Sequence, residues 1–283
     1  MGTAAAKASA RAELRGALRE LVGAFSERHL LVWASALSFR VAMSLVPFLL
    51  FGFALIGFLH LESAWTGIAK DIKPHMSDAA FKIVDSTAKK VVTQKQGWWL
   101  TLGFALAMWE VSGGIRTIMG GLNLIYELRE KRSWIERMLR SILIAVAVSV
   151  LVLAAVGVAW AGPLLYGDVG QPLGALLFVA RWAIAALLLG SAVAITVRLA
   201  PDGYQPAAQV TVGTAIVVGI WIAASILFGL YIRYVASYGS IFGNLATIVL
   251  LFAYIYISSI AFFAGAQIDA IIRERVEGNP QGR

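Results

Sequence analysis

The sequence predicts an all-α, polytopic membrane protein: six transmembrane helices, an N-terminal amphipathic helix and a partly helical outer loop. Three observations predict it. Of the 283 residues 59% are apolar and 14% charged, and mean hydropathy is +0.78. A soluble domain carries about 25% charged residues, so the polar material is too scarce to cover a globule of this size. The 24 Lys and Arg outnumber the 16 Asp and Glu, giving a net charge of +8, and they gather between apolar blocks. Finally, six apolar runs reach the roughly 20 residues that a helix needs to cross hydrocarbon. They are too long and continuous for the ten-residue alternation of barrel strands.

Residues 1–29 form a cytoplasmic segment in which Leu14, Leu18, Leu21, Val22 and Phe25 share one helical face, with Arg11, Arg15 and Arg19 elsewhere. This is the pattern of a helix lying on an anionic inner leaflet; docking of that face on the protein's own loops is the alternative. The charged stretch is too long, and the first apolar run too extended, for a cleavable signal peptide. The transmembrane domain covers residues 30–268. Its first span is Val41 to Leu59, preceded by the apolar stretch Leu30 to Phe39, and Pro47 predicts a kink because it deletes a backbone hydrogen bond. The outer loop, 60–96, places Phe81, Val84, Ala88, Val91 and Val92 at helical spacing, with Lys82, Asp85, Lys89 and Lys90 off that stripe. It reads either as a lid or interfacial helix over the outer mouth or as a solvated connector.

The second span is Gly97 to Ile118 and the third Ser141 to Leu164, separated by a basic loop over residues 120–140. The fourth, Leu173 to Leu199, and the fifth, Ala207 to Ile232, are divided by the breaker Pro201-Asp202-Gly203. The sixth is Ile241 to Ile268, and residues 269–283 form a tail. Most Lys and Arg fall on the side of the two termini, which puts both termini in the cytoplasm. Six lysines in the long first loop dissent. Trp98, Trp99, Trp160, Tyr166, Tyr231, Tyr234 and Tyr238 fall at the outer boundary, where interfacial aromatics anchor a span.

Ionisable groups inside spans cost several kcal/mol and are functional candidates by default. Glu110 is the sharpest. Gly113, Gly114, Thr117 and Gly121 follow it at i+3, i+4, i+7 and i+11, and such small residues permit close helix packing. Glu110 therefore faces protein or a watery cavity, with Arg40 or Arg181 as partner. Two readings stand: an ion pair that locks helices, or a carboxylate that contacts substrate or couples transport. Arg181 lies roughly 13 Å past Pro172, too deep for easy snorkelling. Arg40 is an interface cation if the first helix starts at Val41, and deep if it starts at Leu30. Arg116 reads as snorkelling. Asn244 near the outer end of the sixth span, with Gln267 and Asp269 near its inner end, suits interhelical hydrogen bonding.

Several chemistries lack their residues. Cys is absent, and His29, His60 and His75 match no metal-ligand spacing. No phosphate loop, nucleophile elbow or dinucleotide fingerprint is present, so no enzyme activity, metal or cofactor is expected. Positive-inside topology accounts for the basic loops, so no nucleic-acid partner is expected either. Membrane lipids are the expected partners; an envelope protein or a second copy of the chain is left open.

Three stretches carry a resemblance: Ala36-Leu-Ser-Phe-Arg-Val-Ala-Met-Ser-Leu-Val-Pro47; Trp109 to Tyr126, ending Leu122-Asn123-Leu-Ile-Tyr126 and followed by the basic run Arg129 to Arg140; and Tyr238-Gly239-Ser240 leading to Gly265-Ala266-Gln267. Together they resemble the YihY/virulence factor BrkB family, once labelled ribonuclease BN. This chain departs from the family pattern at Arg40, where an aromatic is frequent, at Glu110, where a small residue is frequent, and at Gln267, where an acid is frequent. The first two departures compensate each other if they pair. The resemblance implies a six-helix bacterial inner-membrane protein without an established catalytic site, from a family linked to envelope integrity and to export of lipid-type molecules. The leading expectation is therefore assistance in moving a lipid-like or amphipathic molecule. A structural scaffold is the alternative, and membrane-associated tRNA processing ranks last.

Overall fold

The computed structural model describes residues 16, 22–60, 62–73, 78–93, 97–166, 173–203, 210–234 and 241–277. As the sequence predicts, the fold is helical: α1 (Leu30–Phe58), α2 (Glu62–Ile72), α3 (Asp78–Thr93), α4 (Gly97–Ile125), α5 (Trp134–Tyr166), α6 (Leu173–Leu199), α7 (Val210–Tyr234) and α8 (Ile241–Glu277). No strand occurs among the described residues. Five helices, α1, α5, α6, α7 and α8, are long and apolar enough to cross a membrane. The expected second span differs from them. At 29 residues α4 is long enough, but it carries Glu110, Arg116 and six glycines, which dilute its apolarity.

The six long helices close into a ring in chain order. α1 packs on α4, α4 on α5, α5 on α6, α6 on α7, α7 on α8, and α8 returns to α1 while also touching α4. The main core fills the half of this ring nearest the α4–α5 loop and the α6–α7 turn, here termed the basic end. Leu30, Ala34 and Leu37 of α1 meet Ile115, Ile118, Met119, Leu122 and Ile125 of α4 there, with Phe262, Phe263 and Ala266 of α8. These recur at three- and four-residue spacing, so each helix presents one apolar stripe inward. The outward faces are apolar too: Leu176, Val179 and Leu187 of α6 and Val32, Val46 and Leu49 of α1 are exposed. A water-soluble monomer does not tolerate apolar surface on this scale.

Several boundaries move from their expected places. α1 starts at Leu30 and runs unbroken through Pro47, so Arg40 lies within the helix rather than at its start. α4 continues past the Gly120-Gly121 pair because those glycines receive aromatic rings: a Cβ on Gly120 would strike Trp33, and one on Gly121 would strike Phe263. The helix ends in a Schellman arrangement, with Leu128 N–H donating to Asn123 O at 2.8 Å and Glu127 N–H to Leu124 O at 3.3 Å. Glu127 takes the left-handed conformation, φ 55°. α5 begins at Trp134 with a capping box in which Ser133 N–H donates to Glu136 Oε2 at 2.8 Å and Glu136 N–H to Ser133 Oγ at 3.3 Å. The α4–α5 loop is thereby reduced to residues 126–133. α8 runs to Glu277, beyond the expected span end at Ile268.

At the basic end, arginines take up helix carbonyls. Arg28 Nη1 donates to Ile125 O at the end of α4, Arg140 Nε to Leu199 O at 2.8 Å and Arg132 Nη2 to Ala200 O at 3.1 Å. A second layer ties the α4–α5 loop to the α6–α7 turn. Arg132 Nε binds Glu130 Oε1 at 2.6 Å and Asp202 Oδ1 at 3.5 Å. Asn123 donates to Glu130 at 3.1 Å and accepts from Asp202 N–H at 2.8 Å. At the opposite end of the ring, α2 and α3 form a hairpin over α1. Ala88, Val91 and Val92 of the expected stripe are buried there with Phe53 and Trp65, and Trp65 Nε1 donates to Asp85 at 3.1 Å. The Lys89 hydrogen bond, with Trp65 adding to it, outweighs burial and holds the Asp85 carboxyl below its ordinary value.

Of the expected amphipathic segment, Val22 and Phe25 lie in a helical stretch over 22–27, and Phe25 packs against the main core. Leu14, Leu18 and Leu21 lie outside the described residues. Of the aromatic belt, Trp98 is exposed and Tyr231 half-buried; the side chains of Trp99, Trp160, Tyr166, Tyr234 and Tyr238 lie outside the described residues.

The tightest crossing joins α7 to α8. A Cβ on Gly213 would strike Gly265 O and Asp269 Oδ2, and one on Gly265 would strike Val217 and Gly213 O. Asp269 Oδ1 accepts the Gly213 N–H at 2.7 Å, so a side chain of α8 bonds the backbone of α7 where the two helices touch. Gly213→Ala therefore lowers the melting temperature in detergent by several degrees, the equivalent of about 1–3 kcal/mol of overpacking. Gly219→Ala, with nothing within 4 Å, leaves it unchanged. A second outcome concerns pH. Burial raises Glu130, but its hydrogen bond to Arg132 and the charges of Arg132 and Arg137 more than offset this and hold the carboxyl below 4.5. A depressed carboxylate stabilises above its unfolded pKa, and that contribution is lost as pH falls through the folded value. Melting curves of wild type and Glu130→Gln thus differ at neutral pH and converge in acid below pH 4.5.

Candidate functional site: an arginine-lined groove

Between α1, the last half of α4 and the first turn of α5 lies an open groove of about 340 Å³, lined by Trp33, Arg40, Gly113, Arg116, Trp134 and Arg137 among others. Three helices contribute its cations at successive depths. Arg137 lies one turn into α5, Arg116 about 13 Å from the end of α4, and Glu110 about 22 Å from it, at 1.5 Å per residue. Arg40 lies about 15 Å along α1.

The cations are held differently: Arg40 faces an acid, whereas Arg116 and Arg137 also donate to neutral oxygens. Arg40 Nη1 stands 3.7 Å from Glu110 Oε2, with the two side chains 42% and 26% exposed. That distance is a salt bridge but too long for a hydrogen bond. Arg116 Nη1 donates to Ser112 Oγ at 3.0 Å and to Ser141 Oγ at 3.1 Å, and its guanidinium lies 5.9 Å from the Trp109 ring centre. Arg137 Nη2 donates to Arg116 O at 3.1 Å. Its Nε is buried without a hydrogen bond and stands 3.7 Å from Glu130. Gly113 sets the spacing: a Cβ there would lie 3.0 Å from Arg40 Nη1 and 3.6 Å from Arg116 Nη2. Two guanidiniums from different helices therefore converge over the same bare backbone.

Of the residues expected at the site, the structure brings Arg40 to Glu110 but leaves Arg181 apart. Arg181 lies against its own helix, 5.2 Å from the Phe178 ring centre and 5.8 Å from that of Trp182, and its Nε has no hydrogen bond. Gln267 is 2% exposed, with Oε1 unpartnered among the described residues; it is a core residue rather than a groove residue. Asn244 lies in α8, but its side chain is outside the described residues. Gly113 accommodates an arginine and Gly121 an aromatic ring, whereas Gly114 has only ordinary contacts at 3.9 Å with Arg40 and Leu37. The close backbone approach of α4 to α1 comes at Gly103 instead, where a Cβ would lie 3.1 Å from Phe51 Cα.

Arg116, Arg137 and the two tryptophans were not legible as one site. Arg137 reads in sequence as one more cation of a basic loop. The usable signal was Ser133-x-x-Glu136, which starts α5 early enough to bring Arg137 onto a helix beside α4. Among the described residues no three His, Asp or Glu side chains gather as a metal-ligand set.

A helical ring with apolar outer faces and five helices long and apolar enough to cross a membrane defines a polytopic membrane protein. The chain belongs to the virulence factor BrkB family, whose model matches residues 21–283. It is 27% identical over 256 residues to YfkH of Bacillus subtilis (strain 168), a protein whose name calls it ribonuclease-like, covering 86% of this chain and 90% of that one. No solved structure matches the chain significantly.

Because Arg181 has no acidic partner among the described residues, Arg181→Met keeps its packing and removes a desolvated charge. Its melting temperature in detergent matches wild type or exceeds it. Arg132→Ala, which strands Glu130 and Asp202 in a side-chain network only 9% exposed at the arginine, loses roughly 3 kcal/mol.

Proposed function

We propose that this protein is a bacterial inner-membrane protein of the cell envelope that assists movement of a lipid-like or amphipathic molecule. In this reading α4 also crosses, as the second of six spans, the basic end with both termini faces the cytoplasm, and the α2–α3 hairpin lies outside. The observation that carries it is the groove: the guanidiniums of Arg40, Arg116 and Arg137 line an open space, with Glu110 set against Arg40, beside exposed apolar faces that only lipid satisfies. Such a groove offers the polar part of an amphiphile a path while its apolar part stays in hydrocarbon. With no ATP-binding motif in the sequence, movement is downhill or driven by a gradient or partner.

The close Arg132–Glu130 pair, at 2.6 Å, favours a second reading, a scaffold in which the charges only fasten helices. A ribonuclease reading comes from the name of the Bacillus relative. It finds little support: Glu130 and Asp202 are bound to Arg132, and among the described residues no three His, Asp or Glu side chains gather as a metal-ligand set.

Reconstitution into liposomes carrying fluorescent lipids, with dithionite quenching to follow their movement, separates the first two readings. Transport requires movement faster than in empty liposomes, slowed about tenfold or more by Arg40→Gln, which removes a group worth 1.5–3 kcal/mol in a charge-assisted contact. A scaffold gives the empty-liposome rate for both proteins, and a lowered melting temperature for the variant.

A further inference from the structure

The groove holds more positive charge than its own acid balances. Arg40, Arg116 and Arg137 line it, Glu110 stands 3.7 Å from Arg40 and its charge also reaches Arg116, and Glu130, 3.7 Å from Arg137, is already bound to Arg132 at 2.6 Å. At membrane depth an uncompensated guanidinium is costly, so the arrangement suits an anion that arrives from outside the chain. Its geometry narrows the class. Arg40 and Arg116 approach one point above Gly113 from two helices, and Arg137 lies nearer the mouth. A carboxylate offers two oxygens in one plane, which a single arginine fork already satisfies. Guanidiniums converging from several directions match the three-dimensional oxygen set of a phosphate.

The surroundings point to where that phosphate comes from. Trp33 and Trp134 line the groove, and Trp134 is exposed, as are Phe39, Leu139 and Leu143 on the adjoining helices. Indoles of this kind sit where headgroup meets acyl chain, and the apolar flanks are unsuited to a hydrated polyanion.

We propose that the groove is a phosphate-recognition site for an anionic lipid headgroup, whose oxygens bridge Arg40 and Arg116 over Gly113 and displace Glu110, the internal counterion of the empty site. This rests on reading the groove as the entry for the polar part of an amphiphile, and adds which polar part it takes.

The test uses the full chain in detergent micelles doped with equal amounts of phosphatidic acid and phosphatidylcholine, with retained lipid counted by native mass spectrometry. Phosphatidic acid is retained about tenfold or more over phosphatidylcholine, and Arg40→Gln removes that preference, since a hydrogen bond to a charged group is worth about tenfold or more. Gly113→Ala leaves every charge in place but intrudes on Arg40, and weakens retention about threefold to tenfold, as expected for a contact displaced by a few tenths of an ångström. Gly114→Ala, with its contacts at 3.9 Å, does not. Glu110→Gln removes the competing anion and strengthens retention. Millimolar inorganic phosphate added as competitor distinguishes the sources: lipid that stays bound shows that the glycerol and acyl parts contribute, and lipid stripped off shows that phosphate alone suffices.

Equal retention of the two lipids overturns the proposal, as does a preference that survives both Arg40→Gln and Gly113→Ala, or weaker retention in Glu110→Gln. The transport reading fails separately. Headgroup-indifferent lipid movement without selective retention removes the phosphate site and keeps transport. Selective retention without movement above empty liposomes removes transport and keeps the site.

Discussion

Hydrocarbon offers no hydrogen-bond partner, so polar groups of this chain that enter it must find partners within the ring or open toward water. That constraint is met most completely at the basic end. Helix C-termini carry free carbonyls and a partial negative charge, and arginines are the side chains that answer both at once. Arg28 serves the end of α4, while Arg140 and Arg132 serve the end of α6. Each of these arginines comes from a different segment than the carbonyl it binds, so satisfying the helix ends also fixes which helices are neighbours. Asn123 extends the same logic, joining the α4–α5 loop to the α6–α7 turn through both atoms of its amide. The packed core lies directly above this layer, and the groove lies at its edge.

How far this was legible varies with how much the local chemistry decided. α6 spans Leu173–Leu199 in the structure, the same limits its apolar run sets, because prolines flank it and little but Arg181 interrupts it. The end of α4 was not legible. A Gly-Gly pair is an ordinary helix terminator, yet here each glycine makes room for an aromatic ring from another helix. The true end uses Glu127 in a conformation that usually calls for glycine, with Arg28 holding its carboxylate at 2.8 Å. Both facts are tertiary, and no local pattern carries them. The start of α1 was undecided for a related reason: Arg40 looks like a border charge until α4 supplies Glu110 across from it.

The site divides along the same line. The small residues on the face of Glu110 predicted that it would look toward protein, and spacing alone could go that far. The choice of Arg40 over Arg181 as its neighbour depends on α1 packing beside α4 while α6 does not. The inclusion of Arg137 depends on a capping box that advances the start of α5. Arginine is the most informative residue type in this chain because one residue serves three unrelated purposes: topology, helix capping and groove lining. Sequence position cannot separate these.

Geometry does separate them. The arginine that fastens loops, Arg132, is 9% exposed and meets Glu130 at 2.6 Å, with a backbone carbonyl taking a second nitrogen. Its remaining nitrogen, Nη1, is buried and out of a ligand's reach. Arg40 is the opposite case, 42% exposed and 3.7 Å from an acid that is itself partly open. Evicting one partner from a tight, desolvated pair leaves a stranded charge at a cost of several kcal/mol. Glu110, 26% exposed, is not shut in this way, so parting it from Arg40 costs far less. An ion pair meant only to lock α1 to α4 would gain from closing that gap. The gap stays open, which gives Arg40 a geometry suited to exchanging one anion for another.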